Sequence, residues 1–186
     1  MSLRSHLAKV AAVLSLCAIL SLTLRGAGTE EDELKCAALL AFVQNAHWPD
    51  PAAPGTPLTV GVVGRPAFLR WLHTAMDGKA VEGRPLRVEG VSLPIDPHLC
   101  QVVYFASDKP AEIKTALQAL GPEHVLTVGE NDRFLEQGGA VNLFLVDGHM
   151  AFEVSLGALD RSGVAISSKL LRFGQIRDLA KGRPRQ

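Results

Sequence analysis

The stretch GVAISSKLLRF, residues 163–173, places Ser167, Ser168 and Lys169 at the end of an apolar run. Serine beside lysine is the raw material of a nucleophile and its base, so the spacing decides whether such chemistry is available. A nucleophilic serine on an α/β scaffold uses either Gly-x-Ser-x-Gly on a strand-to-helix elbow or Ser-x-x-Lys on one helical face, because the base must come within about 3 Å of the hydroxyl. Neither spacing occurs. Position 166 is Ile, and adjacent helical residues such as Ser168 and Lys169 do not face one another. The trio therefore reads as a helix cap at Ser167 or Ser168 followed by a solvated Lys169, with Ser167 as a donor to any small ligand at that helix N-terminus.

Metal and phosphate chemistry find no better footing. His47, His73, His98, His124 and His149 are widely separated, no His-Glu-x-x-His or Cys-x-x-Cys spacing occurs, and His98 with Cys100 forms only an isolated His-x-Cys. The glycines of GVVG, residues 61–64, lack the spacing of either glycine-rich nucleotide loop. No cofactor and no metal are expected. Glu153, in MAFEV, alternates with Met150, Phe152 and Val154 and so points to the opposite face of its strand, either solvated or held against an Arg or Lys. Trp48 ends the apolar side of the first helix, where its ring is either core or available to a partner.

Arg4 and Lys9 precede an apolar run over residues 10–24, and Gly26, Ala27 and Gly28 follow it, the form of a secretory signal peptide over residues 1–28. The run is shorter than the roughly 20 residues a bilayer span needs. Cleavage removes Arg4, Lys9 and Arg25 from 19 basic residues and nothing from 19 acidic ones, leaving a net charge of minus three. That mildly acidic balance argues against nucleic acid, whose affinity rests on clustered Lys and Arg. Cys36 and Cys100 survive cleavage, and an oxidising compartment would let them bridge if the fold brings their Cα atoms within about 7 Å.

The remaining chain reads as alternating elements. Thr29 is a candidate N-cap for a helix over about 30–47, stopped by Pro49. LTVGVVG (58–64) is a strand buried on both faces, Pro66 opens a helix ending at Gly78, and RPLRVEG (84–90) and CQVVYFAS (100–107) are further strands. Ile113, Ala116, Leu117 and Leu120 mark a helix, HVLTV (124–128) a strand, and Asn131 the cap of a short helix through Phe134. Asp147–Gly148 between two apolar runs is the preferred pair for a type I′ hairpin. A short helical piece from Ala158 and a closing helix over 167–182 complete the pattern. It is that of an α/β fold, a three-layer α/β/α sandwich with a mostly parallel sheet and an antiparallel C-terminal hairpin, over residues 29–176, followed by a flexible tail, 177–186.

With KCAALLAFVQNAHWP (35–49), GRPLRV (83–88), CQVVYFA (100–106), VLTVGENDRFLEQGGAVNLFL (125–145) and MAFEVSLGALDRSGVAISSKLL (150–171) in that order, the chain resembles the YfiR family of secreted bacterial proteins. The resemblance implies a periplasmic α/β domain, often a homodimer, that is not an enzyme. It also implies a partner, since the best-known relatives restrain a membrane-bound diguanylate cyclase by binding its periplasmic portion. Some relatives pair the cysteine equivalent to Cys100 with one in the first strand, where this chain has Gly61; Ser155 replaces the usual Asn after Phe-Glu-Val, and Ala46 and His47 interrupt the usual aromatic run before Trp48. The reading that results is a regulatory protein binding a membrane sensor, with a small-solute sensor or binding module as the alternative. In that alternative the pocket lies at the carboxyl ends of the strands with the SSKLL helix as one wall.

Overall fold

The computed structural model describes residues 27–49, 53, 55–121 and 124–177, and the side chains from Glu30 onward. The expected signal segment lies outside them apart from its last two residues. Two compact units divide the chain, Met1–Leu34 and Lys35–Gln186. In the first, the described residues form the beginning of helix α1, Ala27–Asn45, so Thr29 sits inside the helix rather than capping it. Everything below concerns the second.

Its centre is an eight-stranded sheet. In chain order the elements are β1 (Ala46–His47), β2 (Leu58–Gly64), α2 (Pro66–Met76), β3 (Ala80–Val81), β4 (Arg84–Gly90), β5 (Val102–Ala106), α3 (Pro110–Leu120), β6 (Leu126–Gly129), β7 (Val141–Val146), β8 (His149–Ser155), α4 (Leu156–Ser162), β9 (Ala165–Ile166), α5 (Ser168–Leu171) and β10 (Gln175–Arg177). The strands lie in the order β10-β8-β7-β6-β5-β2-β4-β3, with β1 and β9 forming a separate antiparallel pair. Within the large sheet β8 against β7 and β3 against β4 are antiparallel, and the other neighbours are parallel.

The central strands are Val-rich because both of their faces are covered. Leu58, Val60, Val62, Val102, Tyr104 and Val128 join one apolar cluster with Leu39, Phe42 and Val43 of α1 and Phe68, Leu72 and Met76 of α2. Val63, Val103 and Phe105, which alternate with them, join a second cluster with Ile113, Ala116 and Leu120 of α3. Helices on both faces of a mostly parallel sheet make the three layers the sequence pattern called for. The hairpin also forms where Asp147–Gly148 demands it, both residues at positive φ (50° and 77°). A second hairpin of the same kind, not foreseen, turns at Glu82 and Gly83 and makes β3 the far edge.

Three expectations are corrected. The first helix stops at Asn45 because Ala46 and His47 pair with Ile166 and Ala165 instead. Residues 131–138 form turns rather than a helix. There the Asn131 side chain accepts from the Arg133 N–H at 3.0 Å, while the Phe134 ring fills the space above Gly129 and Gly139 that any Cβ would occupy. The closing helix is only α5, four residues long. The Phe152 ring occupies the place a side chain on Gly174 would need, and the next three residues pair in parallel with Glu153–Ser155 as β10, where the exposed edge of β8 offers more than continued helix. Arg177, assigned by pattern to the tail, is thus in the sheet.

Candidate functional site

The chain reverses its direction of travel across the sheet at β2: β4 lies on one side of it and β5 on the other. In open α/β sheets the carboxyl ends of strands at such a point form a crevice. Gly64 ends β2 there with φ 90°, and a Cβ on it would collide with the Ala106 carbonyl at the end of β5. Arg65 follows β2 and Glu130 follows β6, so both arrive at this rim from the strand ends.

Glu130 gathers the polar groups. Its Oε2 accepts from Lys35 Nζ at 2.6 Å and from the Tyr104 hydroxyl at 2.9 Å, and Arg65 lies 3.0 Å from Oε1. The Lys35 side chain is 8% exposed and that of Glu130 14%, so the pair is almost wholly removed from water, whereas Arg65 at 41% forms the wet rim. Arg65 also lies 5.1 Å from the centroid of the Phe68 ring, which packs 4.6 Å from Tyr104. Burial first, and then the Glu130 charge, holds the Tyr104 phenol well above its ordinary value of 10.0, so the hydroxyl remains a protonated donor. The arrangement fastens α1 and the ends of three strands to one carboxylate.

None of these four residues was singled out by spacing, although each carried a signal. Lys35 is one turn before Leu39 on the buried stripe of α1, Tyr104 is the chain's one tyrosine and sits inside an apolar strand, and Arg65 and Glu130 directly follow predicted strands. A buried phenol needs an acceptor, and the rim of a parallel sheet is where to seek one.

The residues that were singled out lie elsewhere and apart from one another. Trp48 is half-buried against the first cluster and donates its indole N–H to the Gln101 carbonyl at 3.3 Å, near the amino end of β5. Ser167 caps α5 by accepting from the Lys169 N–H at 3.4 Å, and its own N–H donates to Asn45 O at 2.9 Å. Ser168 and Lys169 are exposed. Because Asn45 ends the helix that carries Lys35, about 15 Å separates them along the axis at 1.5 Å per residue. The SSKLL helix is therefore no wall of the carboxyl-end crevice. Cys36 and Cys100 are both buried, in the two different clusters on opposite faces of the sheet, so the bridge between them that the sequence left open does not form. Glu153 is held against a cation: Arg177 Nε is 3.3 Å from its Oε2, and Asn142 Nδ2 donates to Oε1 at 3.3 Å.

Residues 32–175 match the sequence profile of the YfiR/HmsC-like family, DUF4154. The chain belongs to this family. YfiR/HmsC-like proteins are periplasmic regulators of cyclic di-GMP signalling rather than catalysts. The match runs through the Lys35–Glu130 rim and ends at Gln175, the first residue of β10, so Ile176 and Arg177 lie beyond it. No curated protein matches the chain. Among the described residues no helix is long and apolar enough to cross a membrane.

Proposed function

We propose that this chain is a periplasmic regulator that binds and restrains the periplasmic domain of a membrane-bound diguanylate cyclase, without chemistry of its own. The family match over residues 32–175 carries the reading. The polar groups support it, since Glu130, Tyr104, Lys35 and Ser167 are engaged in holding elements together. So does the C-terminal border of the sheet, where Phe173 is 72% and Ile176 52% exposed beside the Glu153–Arg177 pair, a mixed apolar and charged surface of the kind protein partners use. Co-purification of the tagged full chain with the periplasmic domain of a diguanylate cyclase encoded beside it, together with cellular cyclic di-GMP with and without the chain, is the test. A stable complex and a lower cyclic di-GMP level support the reading; no complex and an unchanged level refute it.

The rim at the carboxyl ends favours a second reading, a small-solute sensor, because Arg65 is a half-exposed guanidinium at the strand-crossover point. Ligands bound there would raise the melting temperature by mass action, and silence across nucleotides, amino acids and envelope fragments would remove this reading.

A further inference from the structure

One row of residues runs straight across the sheet toward its C-terminal edge. Phe105 pairs with Gly129, Gly129 with Asn142, Asn142 with Glu153 and Glu153 with Gln175. Neighbours in register point to the same face, and here the row changes from apolar to polar as it leaves the cover of Phe134 over Gly129. Asn142 is 3% exposed. Its Nδ2 donates to Glu153, which sets the orientation of the amide and leaves Oδ1 as acceptor, and among the described residues no hydrogen-bond partner meets that oxygen. A buried carbonyl oxygen without a donor is costly.

The strand that closes this edge is poorly matched to the row beneath it. β10 has three residues, all exposed. The residue directly opposite Glu153 is Gln175, which is neutral; the charge that neutralises Glu153 comes from Arg177, placed opposite Ser155 and 48% exposed. Arg177 therefore reaches back along the strand to contact Oε2 through Nε. A guanidinium opposite Glu153 itself would meet the carboxylate directly and keep donors to spare in the direction of Asn142 Oδ1, which lies on β7, across β8.

Taking the regulatory reading as its basis, we propose that β10 is a displaceable plug and that the β8 edge is where the partner docks. The occupant is an extended protein segment that pairs with Glu153–Ser155 in place of β10 and presents an arginine opposite Glu153. Strand addition to an exposed sheet edge gives affinity through main-chain hydrogen bonds and selectivity through alternate side chains. The anionic Glu153 and the unmet Asn142 oxygen select a cation bearing several donors. Displacement is cheap because β10 contributes few pairs and one half-exposed ion pair.

The test titrates the full chain with the peptide Arg-Phe-Gly-Arg-Ile-Arg-Asp, the chain's own residues 172–178 with arginine at the Gln175 position. The controls are the unaltered segment and a scrambled isomer of identical composition. The arginine peptide should bind about tenfold tighter than either control, the size expected of a hydrogen bond to a charged group. Ile176→Pro, which weakens β10, should tighten binding further, and Glu153→Gln should abolish the preference for arginine over glutamine while circular dichroism stays unchanged. Equal binding of the arginine and scrambled peptides, no binding at all, or self-association of Ile176→Pro that excludes the peptide would overturn the proposal. Should either variant not fold, the three peptides on the unaltered chain still decide it. The result is separable from the cyclase test. Peptide binding without a cyclase complex refutes the partner's identity and keeps the edge; a cyclase complex insensitive to Glu153→Gln does the reverse.

Discussion

Gly61 and Cys100 face each other so closely that a β-carbon built on Gly61 would lie 2.7 Å from the Cys100 sulfur. Gly61 is the position where the family resemblance implies, for some relatives, a cysteine that this chain lacks. Gly61 does not have positive φ, so a side chain there is not strained by the backbone. Gly61→Cys should therefore form a disulfide with Cys100 under oxidising conditions, seen as two thiols protected from alkylation in the unfolded protein. It should stabilise the oxidised over the reduced form by about 2 to 4 kcal/mol through loop closure. Free thiols after air oxidation would show that the two positions are not juxtaposed.

Removing the carboxylate that Lys35, Arg65 and Tyr104 share should be the costliest polar change at the rim. Glu130→Ala should destabilise by about 3 kcal/mol or more, as when one partner of a buried pair is deleted. Tyr104→Phe, which removes one donor to that carboxylate, should cost about 1.5 to 3 kcal/mol. Urea denaturation of both variants measures this; a loss under 1 kcal/mol for Glu130→Ala would mean the cluster does not hold the elements together.

Alkaline pH should expose the buried thiol. Desolvation, the largest cause, and the charges of Glu89 and Asp96 push Cys100 from an ordinary 9.0 up to about 11. Between those two values the unfolded chain has released a proton that the folded chain retains, so stability is intact below pH 9 and declines as pH rises toward 11. Cys100→Ala should flatten the fall in urea midpoint over that window. An equally steep fall in the variant would assign the effect to other groups.

Trp48 and Ser167 should differ as packing differs from capping. Trp48→Ala, removing a half-buried ring and its bond to Gln101 O, should cost about 2 kcal/mol. Ser167→Ala with Ser168→Ala should cost at most about 1 kcal/mol. Thermal melts separate the two cases, and a larger loss for the serine pair would contradict the cap assignment.

Much of the architecture was legible without coordinates because it depends on local rules. Continuous β-branched runs such as LTVGVVG become central strands, Pro66 and Pro110 open helices, and Asp147–Gly148 forces a tight turn; each is decided by a few neighbouring residues. The α/β class followed from the alternation of those elements, and family membership followed from the order of several weak segments. Tertiary structure alone decided the rest. Residues 175–177 continue a helical pattern but pair with β8, because an open sheet edge competes for their backbone, and the Phe152 ring occupies the space a side chain at Gly174 would need. Lys35, Arg65, Tyr104 and Glu130 come from four separate stretches, and no spacing along the chain links them; they meet because parallel strands deliver their carboxyl ends to one rim. Cys36 and Cys100 could have met as far as composition was concerned, and a sheet passing between them keeps them apart. Short-range sterics and hydrophobic period are written in the chain itself, whereas which distant polar groups share a buried carboxylate depends on strand order, and that exists only once the sheet has assembled.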